Sequence, residues 1–467
     1  MTQASQLLLA FYGDDFSGST DAMESLALAG IRTVLFLRPP TPELLTKYEG
    51  VRAVGLAGVS RSLARGQMDR ELPAAFSALA ELQPPLVHYK VCSTFDSSPE
   101  IGSIGRAIEI GREVFACDAV PLVVGAPVLG RYCVFGNLFA RSGLDSPVYR
   151  LDRHPTMSRH PITPMDESDL REVLARQTDC RVGLVDLSHL ASGLDACRRQ
   201  REELIAAGCK VIMIDTSDED QLPAIGRLVW EMATQGDGNR SLFAVGSSGL
   251  GYALTAYWRE CGMIACETAA PQRSPAERIA VVSGSCSPVT DRQIGFAVEH
   301  GFAETGLDAV ALLQGDAETS AVRDVVDGAV KQLKAGKSVI LHTSRGPDDP
   351  RIAAVREEMR RRSDASSTAE ILGGRLGRIL RELIERTQLR RVAVTGGDTG
   401  GYVARQLGVE GLELAAPVAP GSPLCRIHAA EGDEAMDGKE IAFKGGQVGR
   451  ADYLVRVRDG DGDGPKT

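Results

Sequence analysis

The chain has 467 residues, 43% of them hydrophobic and 24% charged, with a formal net charge of −10. That length exceeds one ordinary core and predicts two domains of a globular protein. The acidic balance, with no long basic run, excludes a nucleic-acid footprint but leaves room for an anion held by a few placed groups. No apolar stretch is long enough to span a bilayer, and the N-terminus lacks the basic-then-apolar build of a signal peptide. Ten cysteines without a Cys-x-x-Cys pair argue against a zinc or thioredoxin-type site. They read as small buried thiols in a reducing, cytoplasmic setting.

The unbroken apolar run 7–12 predicts a buried strand, and Gly13 and Gly18 predict a turn after it. Asp21 with Glu24 three residues on has the spacing of a helix N-cap. The turn carries Asp14 and Asp15, placed where open α/β sheets bind ligands, at a strand's carboxyl end. An acidic loop beside a capped helix is the plain structural alternative. Further short apolar runs at 33–37, 51–56, 86–89, 121–124, 182–187, 211–214 and 242–245 predict strands, each followed by turn chemistry. This alternation is the signature of βαβ units, so the fold class is α/β, with two domains each built on a mainly parallel sheet flanked by helices.

Residues 150–166, rich in Pro, His and Arg, read as a long irregular connection, with His154 and His160 solvated. Residues 269–275 have linker chemistry between an N-terminal domain, 1–268, and a C-terminal domain, 276–458. In the latter, runs at 279–282, 339–342 and 392–394 continue the α/β pattern, and 417–454 reads as β-rich or looped. The Asp-Gly tail, 459–467, reads as disordered, and it lacks the acidic twelfth position of a calcium loop.

Three strand–turn–helix junctions are rich in Gly and Ser. Phe243 to Tyr252 has G-x-x-G-x-G spacing, which is not the dinucleotide fingerprint and disfavours a dehydrogenase. Val281 to Thr290 puts Ser283 and Ser285 ahead of Pro288 at a helix start, an arrangement suited to phosphate. Arg391 to Tyr402 sets Gly396, Gly397, Asp398 and Thr399 in one turn, where backbone can approach a ligand closely. Asp398 could hold Mg²⁺ directly or through water, or orient a hydroxyl. Gly336-Lys-Ser338 precedes a strand instead of following one, so it reads as a helix C-cap and not a phosphate loop. Arg61 and Lys90 each follow or end a predicted strand. They could join Asp14 and Asp15 at one edge, a polar set that suits a sugar acid.

The start Gly13 to Asp21 resembles the Ala-Asp-Asp-Leu-Thr-Gly-Ala-x-Asp opening of the four-carbon acid-sugar kinase family, which includes threonate, erythronate and 3-oxo-tetronate kinases. Later motifs fit in order: Ser60-Arg61, Ser283 to Ser287, Gly396 to Thr399, Pro420 to Pro423, and Lys444 to Gly449 before Asp452. The resemblance implies an N-terminal domain for the sugar acid and a C-terminal domain for ATP, with Mg²⁺ as cofactor. Asp14, Asp15, Arg61, Lys90, Ser93 and Thr94 then fall on the substrate side. Ser283, Ser285, Gly396, Gly397, Asp398, Thr399 and Gly446 fall on the nucleotide side. Asp15 or Asp14 would orient or deprotonate the acceptor hydroxyl, Arg61 and Lys90 would hold the carboxylate, and Asp398 would organise Mg²⁺. Phosphoryl transfer asks for positioning and charge neutralisation, which suits two domains closing over two substrates. Typical members carry Lys-x-Asp-Ser-Thr-x-Arg-Gly-Asn, whereas this chain has Cys92 for the first Asp and Asp96 for the Arg. That form resembles the branch containing 3-oxo-isoapionate kinase. A non-catalytic sugar-acid sensor is the rival reading, and the oligomeric state, a homo-oligomer included, stays open.

Overall fold

A computed structural model describes residues 7–460 except 144–145, 161, 236–239, 266–270, 315–319 and 363–366; the side chains at 320, 321 and 398 are also outside the description. The chain divides into two compact units, one of residues 1–34 and 38–268, the other of 35–37 and 269–467.

The first unit is a parallel sheet. Leu9–Gly13 lies between Ala53–Ala57 and Leu86–Lys90, and the sheet continues through Leu242–Gly246, Val120–Val123, Val211–Ile214 and Val182–Val185. Every residue of Leu9–Gly13 is buried, as a central strand covered on both faces requires. The helices explain part of that cover. Arg65–Glu81 and Ile104–Phe115 bury Leu72, Phe76, Ile108 and Phe115 against the sheet's Val87, Tyr89 and Phe243. Each such side chain contributes about 1.5–3 kcal/mol relative to exposure.

The predicted strands are present with ends shifted by one to two residues, and two features were not legible. The first helix, Phe16–Leu28, starts five residues before the expected cap, Asp21. Asp15 is its N-cap, accepting from the Gly18 N–H at 2.6 Å, and Asp21 sits mid-helix. The run 33–37 straddles the units, because Leu35 and Phe36 pair antiparallel with Leu412 and Gly411 of the second unit.

Arg131–Val134, Asn137–Arg141 and Val148–Arg150 form a small antiparallel sheet. The connection after it is two 3₁₀ turns. There His154 is buried, not solvated, with Nδ1 accepting from the Thr156 and Met157 N–H groups at 3.3 and 3.2 Å.

In the second unit the parallel order is Ala303–Gly306, Val339–His342, Ala280–Ser283, Arg391–Thr395, Glu440–Lys444. The antiparallel strands Ser422–Ala429 and Val409–Ala419 complete it. Gly336 takes φ 85° two residues past the helix Ser320–Lys334, as a C-cap would. Asp459 ends the last helix, Tyr453–Asp459, and Gly460 caps it in the left-handed region, so the expected disorder does not begin at 459. The rest of that tail, 461–467, lies outside the described residues.

Candidate active-site halves

Parallel register fixes the first half-site. Gly13 is level with Ala57 and Lys90, and Lys90 is level with Gly246, so the segments that follow these strands emerge at one edge. Arg61 reaches from the turn after Ala57 to both aspartates. Its Nε and Nη2 donate to Asp14 Oδ2 and Oδ1 at 3.1 and 2.7 Å, and Nη1 donates to Asp15 Oδ2 at 2.8 Å. The fork matches a carboxylate in a way lysine could not, and guanidinium donors remain without a partner among the described residues. Asp14 is buried, whereas the Asp15 side chain is 29% exposed. Asp15 therefore presents the more accessible carboxylate of the pair.

Lys90 is 4% exposed and pairs with Asp21 Oδ2 at 3.3 Å, and the same oxygen accepts from Ser248 Oγ. Asp21 and Ser248 were not expected here: Asp21 was read as a helix cap, and the turn carrying Ser248 was weighed only against the dinucleotide fingerprint. The signal was present in register, since Ser247-Ser248 follows Gly246. Gly18 allows the close approach: a Cβ there would lie 2.5 Å from Asp15 Oδ1 and 3.1 Å from Lys90 Nζ.

The altered segment completes this cluster. Thr94 Oγ1 donates to Asp96 Oδ1 at 2.7 Å and lies 3.0 Å from Cys92 Sγ, with Ser93 half-buried on the same turn. Arg131 is a further cation, its pKa lowered by burial, and Nη1 donates to the carbonyls of Leu129 and Gly130 at 3.0 and 3.3 Å. No pattern in the sequence marked it.

Burial and charge oppose each other throughout. Burial pushes the Asp14 carboxyl up to about 6, against the pull of Arg61 and with the help of Asp15's negative charge. Burial also opposes the Asp96 charge, but Arg61 and the Thr94 hydroxyl outweigh it and hold that carboxyl below its usual range. For Lys90, burial is outweighed by Asp21 and Asp15, and its pKa rises. The thiol of Cys92 is driven up to about 11, mainly by burial, so it is a neutral donor at neutral pH.

The second half-site repeats the construction. Ser283 is level with Thr395, which is level with Lys444, so three turns begin at one edge. Ser287 caps the helix Pro288–Glu299 by accepting from the Val289 N–H at 3.1 Å. Ser285 Oγ accepts from the Ser287 N–H at 3.2 Å and meets Thr290 Oγ1 at 3.0 Å. Gly396 precedes the helix Gly397–Gln406 at φ 121°, a region closed to other residues, and a Cβ there would meet Thr399 Oγ1 at 2.9 Å. A Cβ on Gly446 would lie 3.3 Å from Ser285 Oγ. Ser283, Ser285, Gly396, Thr399 and Gly446 are thus brought together.

The Asp398 side chain, the expected Mg²⁺ ligand, lies outside the described side chains. Among the described residues no group of three or more His, Cys, Asp or Glu could hold a metal ion. No described helix is long and apolar enough to cross a membrane.

Residues 9–254 match a family described as a sugar-binding N-terminal domain, and residues 280–454 match a nucleotide-binding C-terminal domain. A 3-oxo-isoapionate kinase of Paraburkholderia graminis is 48% identical, over 97% of this chain and 94% of that protein. The chain belongs to the four-carbon acid-sugar kinase family. A 3-oxo-tetronate kinase of Methylobacterium radiotolerans is 31% identical, over 97% of this chain and 99% of that protein. A solved structure from Salmonella typhimurium LT2 covers 96% of this chain and 98% of its own, with a TM-score of 0.75 at 25% identity. This kinase therefore has relatives along nearly its whole length.

Proposed function

We propose that this kinase transfers the γ-phosphoryl group of ATP to a hydroxyl of 3-oxo-isoapionate or a closely related branched oxo sugar acid. The carrying observation is the 48% identity to 3-oxo-isoapionate kinase over 97% of the chain. The altered turn supports it, since Cys92 and Asp96 depart from the pattern of plain threonate and erythronate kinases.

In the proposed reaction the acceptor oxygen attacks the γ-phosphorus, the bond to the β-phosphate oxygen breaks, and ADP leaves. Asp15 orients the hydroxyl and takes its proton, the role its exposure favours over Asp14. Asp14 holds Arg61 in place, and Arg61 turns its uncommitted donors to the substrate carboxylate, with Lys90 adding charge behind. Thr94 and Ser93 line the altered turn. Ser283, Ser285, Gly396, Gly397, Thr399 and Gly446 hold the phosphates, and Asp398 would organise a Mg²⁺ ion that neutralises phosphate charge.

A coupled ADP-release assay over linear and branched sugar acids and their 3-oxo forms tests the proposal. The branched oxo acid should give the highest kcat/KM, and a clear preference for 3-oxo-tetronate or a plain four-carbon acid overturns the assignment.

A further inference from the structure

Lys444 ends the Glu440–Lys444 strand and is 2% exposed. Its ammonium donates to Thr290 Oγ1 at 3.1 Å and to the carbonyls of Gly445, Gly446 and Val448 at 2.7, 3.2 and 3.3 Å. No carboxylate among the described side chains pairs with it, and burial pulls its pKa down to about 7. A buried cation without a counter-ion is costly unless something else calls for it.

The loop after it supplies the reason. Besides the lysine, Thr290 Oγ1 donates to the Gly446 carbonyl at 3.1 Å, and Gln293 Nε2 donates to those of Val448 and Arg450 at 3.0 and 2.9 Å. The loop's carbonyls are therefore drawn to one side. Across a trans peptide the carbonyl and the next N–H point in opposite directions. The N–H groups of Gly446, Gln447 and Gly449 must then face the other way, and none has a protein acceptor among the described residues. Several backbone N–H groups facing outward form an anion-binding concavity. Gly446 sets this one beside Ser285, on the phosphate-binding turn.

We propose that Lys444 is a positioning residue for phosphoryl transfer. Its ammonium holds the carbonyls of loop 445–449 inward, so that the amides of Gly446, Gln447 and Gly449 grip a nucleoside diphosphate, and its uncancelled charge backs the phosphates. This rests on the nucleotide reading above.

Lys444→Met keeps the buried stem and removes the ammonium. Calorimetry on the full chain should show ADP binding about tenfold weaker or worse, the value of a lost charge-assisted contact. Adenosine affinity should be unchanged, and KM for ATP should rise while KM for the sugar acid holds. Unchanged ADP affinity in the folded variant overturns the inference. Equal losses for ADP and adenosine also overturn it, because they mark a merely structural lysine. If the variant does not fold, amide exchange on the wild type decides. ADP but not adenosine should slow exchange at Gly446, Gln447 and Gly449, and unaltered exchange there refutes the cradle. A wild-type chain that binds no ADP sinks the nucleotide reading itself. Wild-type binding beside an indifferent Lys444→Met sinks only this inference.

Discussion

The two half-sites share a construction, turns at the carboxyl edge of a parallel sheet, yet they treat buried positive charge in opposite ways. In the first unit Arg61 is clamped by Asp14 and Asp15, and Lys90 is paired with Asp21. In the second, Lys444 has carbonyls and a hydroxyl around it and no carboxylate among the described side chains. Paired charges preset geometry, because each ion fixes its partner's orientation, but they leave little net field. That suits a site that must select one small polyhydroxylated acid. An unpaired buried cation leaves its field available, which suits a ligand carrying several phosphate charges.

The strongest way to break this comparison is Asp15→Asn. Asparagine caps a helix about as well as aspartate, so the helix Phe16–Leu28 should persist while the carboxylate is lost. Turnover should fall by about 10²–10⁴-fold with Tm little changed. Wild-type turnover would remove Asp15 from the chemistry.

Arg61→Met comes next. It leaves Asp14 buried beside Asp15 without its hydrogen-bonded cation and should cost about 3 kcal/mol in urea unfolding at pH 7. Asp14 can escape by protonating, so the cost should shrink at pH 5. An equal loss at both pH values would show that the arginine acts through packing alone.

In the second unit, Gly396→Ala forces a side chain into φ 121° against Thr399. It should cost on the order of 1–3 kcal/mol and weaken ADP binding while sparing sugar-acid binding. Calorimetry with each ligand checks the split.

The smallest effect per step is in pH, at most about 1.4 kcal/mol per unit for one proton. Asp14 binds its proton more tightly folded than unfolded. Its contribution is therefore full below its ordinary value of 3.8 and is lost as pH rises to about 6. Lys444 is depressed from 10.5 to about 7, so its contribution is present above the ordinary value and is lost as pH falls towards 7. Unfolding titrations of Asp14→Asn and Lys444→Met should each flatten one limb of the wild-type profile. A variant that leaves its own limb untouched would refute that group's assignment.

Legibility in the sequence followed the range of the forces involved. Short apolar runs bounded by glycine revealed the strands, because central strands bury both faces and their signal is local. The same logic placed Asp14, Asp15, Arg61 and Lys90 at strand ends, and the register brought them to one edge. The cap failed for a related reason. Asp21-x-x-Glu24 has the spacing of a capping box, but Asp15 was nearer the strand, and the turn could close only there because Gly18 leaves space for its carboxylate. Once Asp21 was read as a cap it could not be seen as Lys90's partner.

What the sequence determined by itself was the alternating α/β pattern, the family and the positions of the candidate turns at strand ends, because each rests on residues close together in the chain. Only the tertiary structure decided which charges neutralise one another. Asp21 with Lys90, Arg61 with Asp14 and Asp15, and Lys444 beneath its own loop depend on burial and on contacts set by strand register. A charge's worth depends on the dielectric and the partners around it, and those exist only once the chain has folded.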